Sequence, residues 1–152
     1  MSIRSLLCFV LILCASVFGA EALPLDKYSI DRNELPQEAQ DFLSTHFPKA
    51  KVSMIKVDKH LLKKTDYDVK LVNGTKIEFN NAGKWTSVDC KTKAVPEALV
   101  IKPIQRYLKK NFPDVLVVKI EKKTFGFELE LSEGTELKFD RLGTFKSMEA
   151  DD

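Results

Sequence analysis

The chain has 152 residues, a formal charge of +2, three cysteines and two histidines. So even a balance of charge gives little long-range attraction for nucleic acid or an anionic membrane. A chain of this length buries one ordinary core, or two small ones fused side by side.

Met1 to Arg4 carry one positive side chain, and an apolar run from Leu6 to Val17 precedes small residues at Gly19, Ala20 and Ala22. That order is the pattern of an export signal; the run is too short to cross about 30 Å of hydrocarbon, so no stable membrane span is expected. Residues 1–20 are therefore read as a signal peptide. Its removal takes Arg4, Cys8 and Cys14, leaving 23 Lys plus Arg against 22 Asp plus Glu. Cys90 then has no intramolecular partner, and its alternation with Val88 predicts a buried thiol. An exported chain without a disulfide suits the bacterial periplasm or cell surface.

Residues 21–34 hold one weak apolar cluster, Leu23, Leu25, Tyr28 and Ile30, and read as a connecting arm. Residues 35–90 form a first unit. Leu35-Pro36 opens a helix through Phe47, with Ala39, Phe42, Leu43 and Phe47 spaced at three and four along one stripe. Pro48 ends it by disfavouring the helical state at Phe47. Val52, Ile55 and Val57 mark a strand over 51–59 whose change of parity near Met54 predicts a bulge. A basic loop covers 60–66. Alternation over Tyr67, Val69 and Leu71, and over Ile77 and Phe79, predicts half-buried antiparallel strands, and a last strand runs from Lys84 to Cys90.

Residues 91–94 read as a linker, and 95–150 repeat the unit. From Tyr67 onward the copies match at an offset of sixty: Tyr67 with Phe127, Gly74 with Gly134, Gly83 with Gly143, Trp85 with Phe145. Val95-Pro96 repeats Leu35-Pro36, and Phe112-Pro113 repeats Phe47-Pro48, which makes the second helical stretch five residues longer. The loop before Phe127 is shorter by the same five. Pro103 inside the second stretch predicts a kink, or a short first helix ending near Ile101. The fold class expected is α+β: two tandem units of one helix plus a four-stranded antiparallel sheet, about eight strands in all, with the helices packed on one sheet face.

Two registers are open to the hairpin around Gly74. A loop of Asn73, Gly74 and Thr75 sets Lys70 opposite Glu78; a loop of Val72, Asn73 and Gly74 sets Lys70 opposite Lys76 and, in the second copy, Glu130 opposite Glu136. Charge favours the first and turn geometry the second, whose last loop residue must be left-handed. A left-handed β-branched threonine costs about 1–2 kcal/mol, whereas exposed charge pairs are worth a few tenths to about 1 kcal/mol. The glycine register is expected, with Lys70–Glu78 and Glu130–Lys138 as diagonal contacts.

No Gly-rich phosphate loop, CxxC, HExxH or Gly-x-Ser-x-Gly occurs. His46 falls in the last turn of a helix, where a cation is favoured, and His60 in the basic loop. Neither histidine comes with the spacing of zinc ligands. The carboxylates Asp68, Glu78, Glu128, Glu130 and Glu136 alternate with lysines on the outward sheet face, the pattern of a solvated surface. With Asp140, they lack the dense loop of oxygens that calcium takes. No catalytic, cofactor or metal residue is expected, and no nucleic-acid partner.

Leu35-Pro36, Phe47-Pro48, Tyr67-x-Val69-x-Leu71, Asn73-Gly74, Ile77-Glu78-Phe79 and Gly83-x-Trp85 occur twice over in matching order. The second copy has Val95-Pro96, Phe112-Pro113, Phe127-x-Leu129-x-Leu131, Glu133-Gly134, Leu137-x-Phe139-Asp140 and Gly143-x-Phe145. This pattern resembles the bacterial family of PepSY-like periplasmic proteins, also described as β-lactamase-inhibitor-like. The resemblance implies tandem units like those of secreted β-lactamase inhibitor proteins, residence in the periplasm or outer envelope, and no catalytic residues. Related PepSY modules are thought to restrain peptidases. The expected function is a noncatalytic exported module that binds an envelope protein or peptide, as an inhibitor of a peptidase or other envelope enzyme would. The alternative is a periplasmic small-ligand or metal-ion sensor. Lys70, Glu78, Trp85, Glu128, Glu130 and Lys138 are the expected partner-binding residues.

Overall fold

Strands that follow one another in sequence also lie side by side, joined in most of the described connections by a tight turn or by a short helical segment. The computed structural model describes residues 26–59 and 65–150. Within them the strands form one nine-stranded antiparallel sheet in sequence order. They are β1 (Lys27–Ser29), β2 (Val52–Asp58), β3 (Asp66–Leu71), β4 (Lys76–Phe79), β5 (Trp85–Asp89), β6 (Val117–Lys123), β7 (Gly126–Leu131), β8 (Thr135–Asp140) and β9 (Phe145–Ala150). Helix α1 (Gln37–His46) joins β1 to β2, and α2 (Lys102–Asn111) joins β5 to β6. The signal peptide, Cys8, Cys14 and His60 lie outside the described residues.

Both helices bury their apolar stripe on the same sheet face. Ala39 and Leu43 of α1 and Ile104 of α2 are fully buried, against Ile55, Ile77, Val88, Ile120, Leu129 and Leu137 of the sheet. An aromatic cluster repeats at the end of each unit. Phe42 meets Phe79 edge-on at 5.4 Å and Trp85 at 6.2 Å; Tyr107 meets Phe139 edge-on at 5.3 Å and stacks on Phe145 at 4.8 Å. Such pairs add about 0.5–1.5 kcal/mol each beyond the area they bury.

The two halves join edge to edge through β5 and β6, with Ser87 opposite Glu121, Val88 opposite Ile120 and Asp89 opposite Lys119. The hairpins take the glycine register: Lys70 faces Lys76 and Glu130 faces Glu136, with Gly74 and Gly134 left-handed at φ of 90° and 89°. The diagonal contacts do not form. Lys138 pairs instead with Glu136 on its own strand and with Glu149 on β9. The bulge expected near Met54 lies between Val52 and Met54, and its counterpart between Val117 and Lys119.

Two expectations are corrected. The arm contains β1, paired on β2 with Tyr28 opposite Lys56, and a 3-10 turn at Arg32–Glu34, so the sheet has nine strands and not eight. A strand of three residues, whose one large side chain faces solvent, leaves no alternation to read. The second helix is also no longer than the first, at ten residues each. The repeat of Leu35-Pro36 is Val100-Ile101 and not Val95-Pro96: the Gln40 side-chain amide donates to the Leu35 carbonyl at 2.9 Å, and Gln105 donates to Val100 at 2.7 Å. Pro103 sits in the first turn of α2, after a short 3-10 helix at Glu97–Leu99, where its ring breaks no hydrogen bond.

Candidate partner-binding face

Strand alternation sends every second side chain away from the helices, and among the described residues no element covers that side of the sheet. Cross-strand register aligns those side chains in rows. One row runs Tyr28, Lys56, Asp68, Glu78, Ser87, Glu121, Glu128, Lys138, Ser147, through all nine strands. The next runs Met54, Lys70, Lys76, Asp89, Lys119, Glu130, Glu136, Glu149. At about 4.8 Å per strand the face is roughly 40 Å across.

Five of the six expected partner-binding residues fall on these rows: Lys70, Glu78, Glu128, Glu130 and Lys138. Trp85 does not share the face. It lies half-buried on the helix side beside Phe42, with the Lys122 ammonium 3.7 Å from its ring centre. Burial at that contact pushes the Lys122 ammonium below its ordinary pKa.

The equivalent positions of the two units carry different charges. Asp68 opposes Glu78 in the first, whereas Glu128 opposes Lys138 in the second. Burial, with Asp58 and Asp66 nearby, raises the Asp68 carboxyl above the usual range. Burial and then Asp68 and Glu121 raise Glu78 in the same way. Asp58, Asp66, Asp68 and Glu78 line a recess of about 210 Å³ with Asn80 and Thr86. Lys56 reaches its edge, 3.3 Å from Asp58 and 3.0 Å from Asp26.

In the second unit lysines answer the acids. Lys119 and Lys123 both pair with Glu121, Lys123 reaches Glu128 at 3.1 Å, and Lys138 reaches Glu149 at 2.8 Å. These contacts hold Glu121 below the ordinary carboxylate range despite its partial burial. Glu130 stands between Lys119 on β6 and another carboxylate, Glu136, on β8, and makes no salt bridge within 4 Å among the described residues. Outward acids on β6 to β9 therefore outnumber the lysines.

The sequence reading passed over Phe125 and Leu142, exposed by 82% and 79% at one end of the second unit. Their loops are tied together by Arg141, whose guanidinium donates to the Thr124 carbonyl. Isolated apolar residues in turns carry no periodic signal. Among the described residues no three His, Cys, Asp or Glu side chains are grouped to hold a metal ion, and no helix is long and apolar enough to cross a membrane.

The family described as "Putative beta-lactamase-inhibitor-like, PepSY-like" matches residues 65–147. Among solved structures, the chain is similar to a "putative periplasmic protein of unknown function" from Bacteroides vulgatus. The two are 40% identical over 82% of this chain and 99% of that one, with a TM-score of 0.79. A second putative periplasmic protein from that organism is 43% identical over 82% of this chain and 96% of its own, with a TM-score of 0.76. A "putative calcium-regulated periplasmic protein" from Bacteroides thetaiotaomicron is 40% identical over 82% and 96%, with a TM-score of 0.77. No curated protein matches the chain. A duplicated helix-backed sheet, a family model over more than half the chain and relatives aligned along nearly their whole length lead to one conclusion: the chain belongs to the PepSY-like, β-lactamase-inhibitor-like family and is a protein of the periplasm.

Proposed function

We propose that the chain is a binding module whose uncovered sheet face grips an envelope protein or peptide, and that inhibition of the gripped enzyme is its outcome. The observation that carries this reading is the row from Tyr28 to Ser147, which runs through all nine strands on the face turned away from the helices, with only Ser87 of its members buried and no described element laid over it. A partner would meet Lys70 and Glu78 on one half and Glu128, Glu130 and Lys138 on the other. The carboxylate-on-carboxylate rung of Glu130 and Glu136 and the excess of acids on the second half suit a basic surface. The inhibitor-like character of the family agrees with this use of the fold.

Capture from periplasmic extract tests the reading with three proteins: wild type, Glu128→Lys/Glu130→Lys on the face, and Lys109→Glu/Lys110→Glu on α2. The face variant loses the partners that wild type captures, and the helix variant keeps them. Equal capture by all three contradicts the proposal.

The calcium-regulated relative motivates a second reading, a metal-ion sensor. The recess of Asp58, Asp66, Asp68 and Glu78 is where a cation would relieve the most repulsion, although these carboxylates are not grouped as a set of ligands. Thermal melting with and without millimolar calcium decides it. A rise in Tm abolished by Asp68→Asn/Glu78→Gln supports the sensor, and an unchanged Tm removes it.

A further inference from the structure

The sheet ends differently on its two sides. The outer edge of β2 is closed by β1, which stands on β2 as β5 stands on β6: Ser29 opposes Ile55 as Val88 opposes Ile120. Among the described residues no strand pairs with the outer edge of β9. At the offset of sixty, β9 is the counterpart of β5, since Met148 opposes Leu137 as Val88 opposes Ile77. The chain thus holds the same strand twice, once covered by a neighbour and once bare.

The covered copy shows what the bare one lacks. Val88 is fully buried beneath Ile120 of β6, whereas Met148 is 56% exposed. The Cys90 amide donates to the Val118 carbonyl at 2.8 Å; its counterpart on β9, the Ala150 amide, has no neighbouring strand among the described residues. Asp89 faces Lys119, whereas Glu149 keeps its acid with no described strand beyond it. A bare strand edge is a template for pairing, and added strands bind through main-chain hydrogen bonds with alternate side chains giving selectivity.

We infer that the free edge of β9 takes an extended segment of a partner protein as a tenth, antiparallel strand, docked as β6 docks on β5. The segment carries a branched aliphatic residue opposite Met148 and a lysine or arginine opposite Glu149, the Lys-Ile order of Lys119-Ile120. Its aliphatic side chain extends the helix-side core, and its cation meets the acid-rich outward face. This edge is distinct from the sheet face, and the NMR readout on β9 tests it separately from capture with Glu128→Lys/Glu130→Lys.

The probe is a synthetic peptide with the sequence of residues 117–123, titrated to millimolar concentration into the full mature chain labelled for amide NMR. Saturable shifts at Met148, Glu149 and Ala150 are expected. Replacing the peptide isoleucine by aspartate, or Met148→Asp in the protein, weakens binding at least tenfold; Met148→Asp is first checked for an unchanged amide spectrum elsewhere. The inference is overturned by the absence of saturable shifts on β9, or by shifts indifferent to both substitutions. Concentration-dependent β9 shifts without peptide also overturn it, because they assign the edge to a second copy of the chain.

Discussion

Gly83 stands so close to the start of α1 that a methyl group on it would lie 2.9 Å from the Ala39 amide nitrogen and 2.8 Å from the Pro36 Cβ. Gly143 meets the start of α2 in the same way, with Pro103, Ile101 and Ile104 around it. Both are left-handed at a φ of 82°, so a side chain is opposed by the backbone conformation and by the helix at once.

Gly74 gives the comparison that separates those two effects, because it is left-handed with nothing within 4 Å. Gly74→Ala is expected to cost only the conformational term, about 1–2 kcal/mol. Gly83→Ala costs more than that, since the backbone of α1 must shift away. Urea midpoints should fall in the order wild type, Gly74→Ala, Gly83→Ala, and equal losses would remove the helix contact from the account.

The hairpin repeat was legible because its signals are local: alternation of period two, and glycines at positions where only a left-handed residue closes the turn. The decision between registers also rested on a local term, backbone strain at Thr75 set against weak exposed charge pairs. What escaped was nonlocal. The partner of β1 lies 26 residues away at its nearest pair, Ser29 opposite Ile55. The true match of the helices depends on Gln40 and Gln105 reaching back to carbonyls that no spacing rule marks. Alternation names a face only while register holds, and the pairing of β4 with β5 shifts register between Glu78 and Phe79. That shift keeps Trp85 on the helix side with Phe79.

Those two glutamines give a further prediction. Gln40 donates to Leu35, while Gln105 donates to both Val100 and Glu97 at 2.7 and 3.0 Å. Replacement by alanine leaves carbonyls short of a partner at about 0.5–1.5 kcal/mol per net bond. Gln105→Ala should be the more costly of the two in chemical denaturation, having two bonds to lose.

Asp68 and Glu78, directly opposed, carry a pH signature. Both carboxyls are raised, so the folded chain retains protons that the unfolded chain releases above about pH 4. Their contribution is therefore most favourable below the unfolded pKa and declines as pH rises through the folded value. Asp68→Asn should stabilise the protein at pH 7 by a few tenths to about 1 kcal/mol, the scale of a like-charged cross-strand pair. The gain should shrink toward pH 4. Urea unfolding of both proteins from pH 4 to 8 checks this, and a variant less stable at neutral pH contradicts it.

Cys90 is 6% exposed, and burial pushes its thiol above the ordinary pKa. A thiol both hidden and protonated is a poor nucleophile. Labelling with a thiol reagent at pH 8 should be slow in the native state and rapid in denaturant. Fast native labelling would place Cys90 at the surface.

The central claim is that the partner lies on the uncovered sheet face, and differential acetylation of lysines in the isolated chain and in a captured complex measures it directly. Lys70, Lys76 and Lys119 stand on that face, whereas Lys102, Lys109 and Lys110 stand on α2. The first three are expected to lose reactivity in the complex while the α2 lysines keep theirs. Protection of α2 with the sheet lysines unchanged would contradict it.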